Sequence, residues 1–101
     1  MPYFRASNPV KVETIDTGEF SYYINKRVGD FVVRVPITKG THLSVGLTRA
    51  WFHVPANYDL ENVGVNSVTF TEDEAIITFH TQTTGSVGNI GLHFIISHVY
   101  I

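Results

Sequence analysis

The sequence of 101 residues contains no cysteine and only four alanines. Without cysteine the chain has no disulfide, no thiol nucleophile and no zinc site with thiolate ligands. Few alanines, and no window with apolar residues at i, i+3, i+4 and i+7, argue against amphipathic helices. No apolar run approaches the roughly 20 residues of a membrane helix. The first ten residues lack the basic and apolar regions of a signal peptide.

Positive charge is missing from the second half of the chain. All seven basic residues precede residue 50, together with four acids, whereas residues 51–101 carry five acids. The two halves therefore have net charges of +3 and −5. This asymmetry of charge either arose by chance or indicates a molecule with faces of unlike charge. Such faces would suit assembly with copies of itself. The bases are scattered and the pI is about 6.2, so we predict no nucleic-acid binding.

Valine, isoleucine, threonine, phenylalanine and tyrosine dominate, and these residues favour strands. Short runs of them are separated by turn residues at intervals of roughly 8–12 residues, as in an antiparallel sandwich or barrel. A chain of this length can bury its own core. We predict one all-β domain over residues 1–101, a jelly-roll-like or immunoglobulin-like β-sandwich of about eight strands. These strands cover residues 10–15, 20–25, 30–37, 41–47, 49–54, 63–70, 75–82 and 90–101.

Two segments carry more specific predictions. In residues 30–37 the apolar side chains alternate, so four of them share one face. Pro36 has no N–H donor, which makes this segment an edge strand or ends it there. Residues 63–70 and 75–82 flank a short acidic turn, residues 71–74, and predict a hairpin.

The last strand lies in residues 89–101 (NIGLHFIISHVYI) and is apolar on both faces. Successive strand residues point to opposite sides, so we predict that Leu92, Phe94 and Ile96 fill the core. The other side would be covered by the second sheet or by another chain, because an open apolar surface invites aggregation. The predicted oligomer interface is Ile95, Val99 and Ile101. The same alternation places His93 and His98 on opposite faces.

The five histidines do not have the spacing of a metal site. His53, His80 and His93 lie on three predicted strands and could converge only through strand pairing, so a histidine metalloenzyme stays an alternative. The default is a set of half-buried histidines bonded to serine, threonine or backbone groups. Glu72, Asp73 and Glu74 share a turn and are expected to be solvated. No catalytic motif is present. We predict no enzymatic activity, no catalytic residue, no metal and no cofactor.

Aromatic residues offer a possible binding surface. Tyr22 and Tyr23 are adjacent, as are Trp51 and Phe52, so one ring of each pair should point inward and one outward. An outward ring can stack on a sugar or fill an interface. We therefore name Trp51, Tyr58, Tyr22 and Tyr23 as candidate binding residues, with a carbohydrate- or receptor-binding module as the second functional hypothesis.

The second half of the chain resembles small β-sandwich domains of bacteriophage virion proteins. The features in question are residues 50–62 (AWFHVPANYDLEN), the hairpin of residues 63–79 (VGVNSVTFTEDEAIITF), a Gly/Thr/Ser loop and the terminal strand. The resemblance covers about half the chain and carries no functional residue across. It implies a non-enzymatic tail-fibre, head-fibre or capsid decoration protein in a virion. The implied partners are copies of itself, with a trimer favoured, or a larger capsid or tail protein, and no membrane.

Overall fold

The computed structural model describes residues 10–54, 60–83 and 88–101. This part of the chain contains strands and no helix, so none of its segments is a helix long and apolar enough to cross a membrane. The described residues form seven strands: β1 (Lys11–Asp16), β2 (Phe20–Ile24), β3 (Val28–Pro36), β4 (His42–His53), β5 (Leu60–Phe70), β6 (Glu74–Thr83) and β7 (Gly88–Tyr100).

The strands form two antiparallel sheets that pack face to face as a β-sandwich. In the four-stranded sheet, which we call sheet A, β7 lies in the centre. Strand β4 pairs with one side of β7, while β1 and β2 pair end to end along the other side. The three-stranded sheet B has the order β3-β6-β5. The predicted all-β sandwich is confirmed.

The described residues form seven strands and not the predicted eight, because two of the predicted strands are parts of one continuous strand. Residues 41–47 and 49–54 both belong to β4, which pairs with β7 throughout. The register shifts between Leu47 and Arg49. A β-bulge of this kind places one extra residue in a strand without ending it. The bulge reverses the alternation of side chains, which is why the sequence pattern appeared broken there.

The core lies between the sheets and follows strict alternation. Every second residue is buried along β6 and, in β7, from Ile90 to His98, because the inner faces of two packed sheets meet and their side chains interdigitate. The four side chains predicted to share a face, three in β3 and Ile37 just after it, are indeed buried. The largest fully buried apolar side chains are Phe79, Phe94, Ile24, Ile77, Ile90, Leu92 and Ile96.

The predictions for Pro36 and the acidic turn are confirmed. Strand β3 is an edge of sheet B and ends at Pro36. Strands β5 and β6 form the predicted hairpin. Its turn is closed by the Thr71 N–H, which donates to the Glu74 carbonyl at 2.8 Å. The Ile37 N–H donates to the Asp73 carbonyl, so the turn is also fastened to the segment that follows β3.

Opposite charges from the two halves of the chain meet in space. Arg34 Nη1 lies 3.4 Å from Glu74 Oε1, and Lys39 Nζ lies 3.9 Å from Glu72 Oε1. Two of the bases of the first half are thus paired with acids of the hairpin turn. At these positions the charge asymmetry along the sequence does not produce separate faces of unlike charge. Glu72 and Asp73 are exposed, as predicted for this turn, and Glu72 and Glu74 in addition contact bases.

The last strand has one buried side and one outer side. Leu92, Phe94 and Ile96 are fully buried, as predicted. Sheet B packs against that side and does not cover the opposite one, on which Ile95 and Val99 are half-buried among their strand neighbours. Ile101, just beyond β7, is 39% exposed. Coverage by the second sheet is therefore the wrong alternative, and coverage by another chain stays a prediction.

Candidate functional site

The outer face of sheet A combines an apolar end with an aromatic and polar end. At the apolar end Val12 is opposite Val99 in the β1–β7 register, and Val12 is 69% exposed. Toward the other end the alternation of β4 and β7 presents Arg49, Trp51 and His93 on the same side. This face is the part of the described structure where the predicted interface and the predicted aromatic surface come together.

A shallow groove of about 190 Å³ lies at the polar end. Its floor is Gly91, and its sides include Glu19, Trp51, His53 and His93. A Cβ atom on Gly91 would lie 2.5 Å from Glu19 Oε1 and 3.1 Å from His53 Cβ. The missing side chain therefore allows Glu19 and His53 to lie close against the backbone of β7.

Trp51 forms the aromatic wall of this groove, and its ring already has two partners, the His93 ring and the Arg49 guanidinium. The His93 ring lies opposite it in the strand register, with 4.3 Å between the ring centroids. The Arg49 guanidinium carbon lies 4.5 Å from the Trp51 ring centroid, which is a cation–π distance. The ring is half-buried, so part of its surface is covered by the protein itself.

Asp16 orients His93 from the neighbouring strand. Its Oδ1 atom contacts His93 Nε2 and accepts a hydrogen bond of 2.8 Å from the Gly18 N–H. The bond from Gly18, followed by the contact with His93, holds the pKa of the Asp16 carboxyl below its ordinary value. The ionised Asp16 carboxylate, in contact with Nε2, fixes the orientation of the His93 imidazole.

The other named aromatic residues do not gather around the groove. Tyr23 points outward and is 61% exposed. Tyr22 points inward and packs edge to face against Phe79 at 5.3 Å between centroids, while its hydroxyl donates to the Val32 carbonyl at 3.2 Å. The prediction of one inward and one outward ring is confirmed, and Tyr22 is corrected from an exposed ring to a core-facing one. Tyr58 lies outside the described residues.

The three histidines considered for a metal site do not converge. His53 and His93 line the outer groove of sheet A, whereas His80 lies on sheet B at a non-buried position of β6. In the described ranges no group of three or more histidine, aspartate or glutamate side chains is placed to hold a metal ion. His93 and His98 do lie on opposite faces, as alternation predicts, because His98 is fully buried.

Four of the five histidines have a carboxylate partner, which corrects the predicted serine, threonine or backbone partners for these four, whereas His42 has a backbone partner as predicted. His80 Nδ1 lies 2.9 Å from Asp30 Oδ1 across the β3–β6 register. That bond, followed by one from the Asn66 amide at 3.0 Å, holds the pKa of Asp30 below its ordinary value. The remaining acid partners are Asp16 for His93, Glu13 for His98 and, at 4.0 Å, Glu19 for His53.

The sequence pattern could not identify these acids as partners. Glu13 and Asp16 lie in β1, whereas the histidines that they contact lie in β7 at the far end of the chain. One usable signal was present for Glu13, which lies among apolar residues in the predicted strand 10–15, where a buried imidazole opposite would supply a reason for it. Asp16 fell in the predicted turn after that strand and carried no such signal. Assigning the pair still requires the register between the two strands.

Comparison of the chain with protein-family models, with curated proteins and with solved structures finds no match in any of the three. The resemblance to virion domains therefore stays a prediction based on the sequence.

Proposed function

We propose that this protein is a non-enzymatic structural module of a virion, of the capsid decoration or tail-fibre type, which assembles with copies of itself. The contact would be the outer face of sheet A. The sequence resemblance supports the virion class, and the pairing of exposed Val12 with half-buried Val99 supports the assembly. Strands of a neighbouring copy would remove this pair from water.

The single observation that carries the proposal is the apolar end of this face. Val12 is 69% and Ile101 is 39% exposed, and half-buried Val99 lies between Val12 and Ser44 in the sheet. Apolar side chains that are grouped on one face mark an interaction surface more often than scattered ones do. Removing such area from water contributes about 25 cal/mol per Å², and a stable interface needs roughly 800 Å² from each partner.

Light scattering after size-exclusion chromatography at micromolar concentration tests the assembly. The expected result is a single oligomer, with a trimer favoured, that Val12→Lys converts to a monomer by burying an unpaired charge in the interface. Val32→Lys is the matched control, because Val32 is 46% exposed on the outer face of sheet B. It should leave the oligomer unchanged. A monomeric parent protein would refute the proposal, as would equal effects of the two lysines.

The groove beside Trp51 supports a second candidate, a carbohydrate- or receptor-binding module. An aromatic ring, a carboxylate and an imidazole around a small space can stack on a sugar and bond its hydroxyls. A glycan array that includes charged and neutral sugars tests this. Binding should be lost in Trp51→Leu and kept in Phe70→Leu, which removes a 38% exposed ring elsewhere. An array without hits contradicts this candidate.

A further inference from the structure

Four aromatic side chains form a cluster between the sheets at the end of the sandwich where β7 finishes. His42 stands at the start of β4 and contacts Phe70, His98 and Tyr100, with centroid distances of 5.7, 5.3 and 5.9 Å. The His98 and Tyr100 rings stack at 5.0 Å. This cluster lies on the inner side of sheet A and is separate from the outer face of that sheet.

The hydrogen-bond partner of His42 fixes its tautomer. His42 Nε2 lies 2.6 Å from the Glu72 carbonyl oxygen. A carbonyl oxygen only accepts, so Nε2 carries the hydrogen and donates it. In the neutral ring Nδ1 then has a free lone pair. That Nδ1 atom is buried and has no hydrogen-bond partner.

His98 has the same tautomer for a related reason. Its Nε2 atom lies 2.7 Å from Glu13 Oε1. Hydrogen bonds from Thr38 and then from His98 hold the pKa of the Glu13 carboxyl below its ordinary value, so at neutral pH the carboxylate accepts from Nε2–H. His98 Nδ1 is also buried and without a partner. A proton on it would be a buried donor with no acceptor, which costs about 1–3 kcal/mol.

Two adjacent imidazoles therefore each have a free Nδ1 lone pair, and each is oriented by an oxygen acceptor at Nε2. This arrangement is typical of metal-binding histidines, which donate their other N–H to a carboxylate or a backbone carbonyl. It also explains how two buried nitrogen atoms can remain unpaired, since a bound cation would satisfy both.

The distance between the two ring centroids matches that of two imidazoles bound to one tetrahedral metal ion. A Zn–N bond of about 2.1 Å plus the ring radius puts each centroid about 3.2 Å from the metal, and at the tetrahedral angle two such centroids lie about 5.2 Å apart. The centroids of His42 and His98 are 5.3 Å apart. Among the described residues no third ligand of the usual types completes the set. His42 is only half-buried, which leaves a route for the ion and for water as a further ligand.

We propose that His42 and His98 bind one late first-row transition metal ion, of which Zn²⁺ is the probe, through their Nδ1 atoms. Neutral imidazole suits zinc, copper and nickel, whereas magnesium prefers oxygen ligands. Nothing in the comparisons assigns such a site, and it does not depend on the proposed assembly. Binding requires no change of tautomer, so both Nε2 hydrogens stay in place.

Calorimetric titration of the chelator-treated full-length protein with ZnCl₂ tests the site. The expected result is saturable binding of one Zn²⁺ per chain and none of Mg²⁺. His42→Gln should weaken Zn²⁺ binding at least tenfold, because even losing an outer partner of a ligand costs 10–100-fold. His80→Gln is the matched control, since it removes a half-exposed histidine on sheet B and should leave the affinity unchanged.

Nitrogen NMR of the imidazole rings supplies a readout that does not depend on a variant. On adding Zn²⁺ the Nδ1 resonances of His42 and His98 should shift while both Nε2–H groups persist. The proposal is overturned by the absence of saturable binding at millimolar Zn²⁺. It is also overturned by equal losses in His42→Gln and His80→Gln, or by Zn²⁺ shifts confined to His53 and His93.

Discussion

His98 and Glu13 are directly opposite each other in the β1–β7 register, and 2.7 Å separates His98 Nε2 from Glu13 Oε1. The imidazole is fully buried, whereas the carboxylate side chain is 32% exposed. Thr38, which follows β3, donates its hydroxyl to the second carboxylate oxygen. One glutamate therefore bonds the central strand of sheet A and the connection that leaves sheet B.

Replacing Glu13 by alanine should destabilise the protein through His98. The buried Nε2–H would lose its acceptor, at a cost of about 1–3 kcal/mol in the free energy of unfolding. Urea denaturation measures the change. Glu19→Ala is the control, because Glu19 is an exposed acid whose histidine partner lies 4.0 Å away, and exposed ion pairs contribute little. Equal losses in the two variants would contradict this role for Glu13.

Stability should fall as the pH drops below about 4, the ordinary range of carboxyl pKa values. The pKa values of Glu13, Asp16 and Asp30 are lowered in the folded protein. The unfolded chain therefore takes up protons first, and the stabilisation present above the unfolded pKa is lost as the pH falls through the folded pKa. Urea midpoints measured from pH 7 to pH 3 check this.

The principal cause of the shift at Glu13 can be tested separately. The largest contribution is the hydrogen bond from the Thr38 side chain, so Thr38→Val should raise the Glu13 pKa toward its ordinary value. Carboxyl carbon NMR measures both titrations. Asp30 is the internal control, because its shift arises from His80 and Asn66 and should not change. An unchanged Glu13 titration would contradict the assignment.

Gly18 should not tolerate a side chain even though nothing crowds it. Its φ angle is +64°, and no atom lies within 4 Å of an added Cβ. The left-handed conformation costs a residue with a Cβ about 1–2 kcal/mol, so Gly18→Ala should lower the free energy of unfolding by that amount. Gly46 has equal space and no such φ angle, so Gly46→Ala should cost much less. Thermal unfolding compares the two.

A buried methyl group should contribute more to the free energy of unfolding than exposed methyl groups do. Ile96 is fully buried, whereas Val32 is 46% exposed. Ile96→Val removes one buried methyl group and should cost about 0.5–1.5 kcal/mol. Val32→Ala removes more atoms but should stay within about 0.5 kcal/mol. Urea denaturation measures both losses. A larger loss in Val32→Ala than in Ile96→Val would contradict the position of the core.

Much of the fold could be predicted because strand alternation is a local property. The buried side of β3, its end at Pro36, the β5–β6 hairpin and the core side of β7 all follow from period-two spacing over a few residues. The prediction of two strands in place of β4 was wrong because a bulge shifts that period at Leu47/Arg49. Nothing in the local pattern distinguishes such a shift from a chain break.

The sequence by itself determined the strand-rich composition, which side of each strand is apolar, and the separation of His93 from His98. The tertiary structure decided which strands are neighbours and in what register. It alone placed Glu13 opposite His98, 85 positions away, and His42 beside the same ring. The physical reason is that alternation acts within one strand, whereas register depends on the packing of both sheets, and a slip of one residue would turn each of these side chains to the other face.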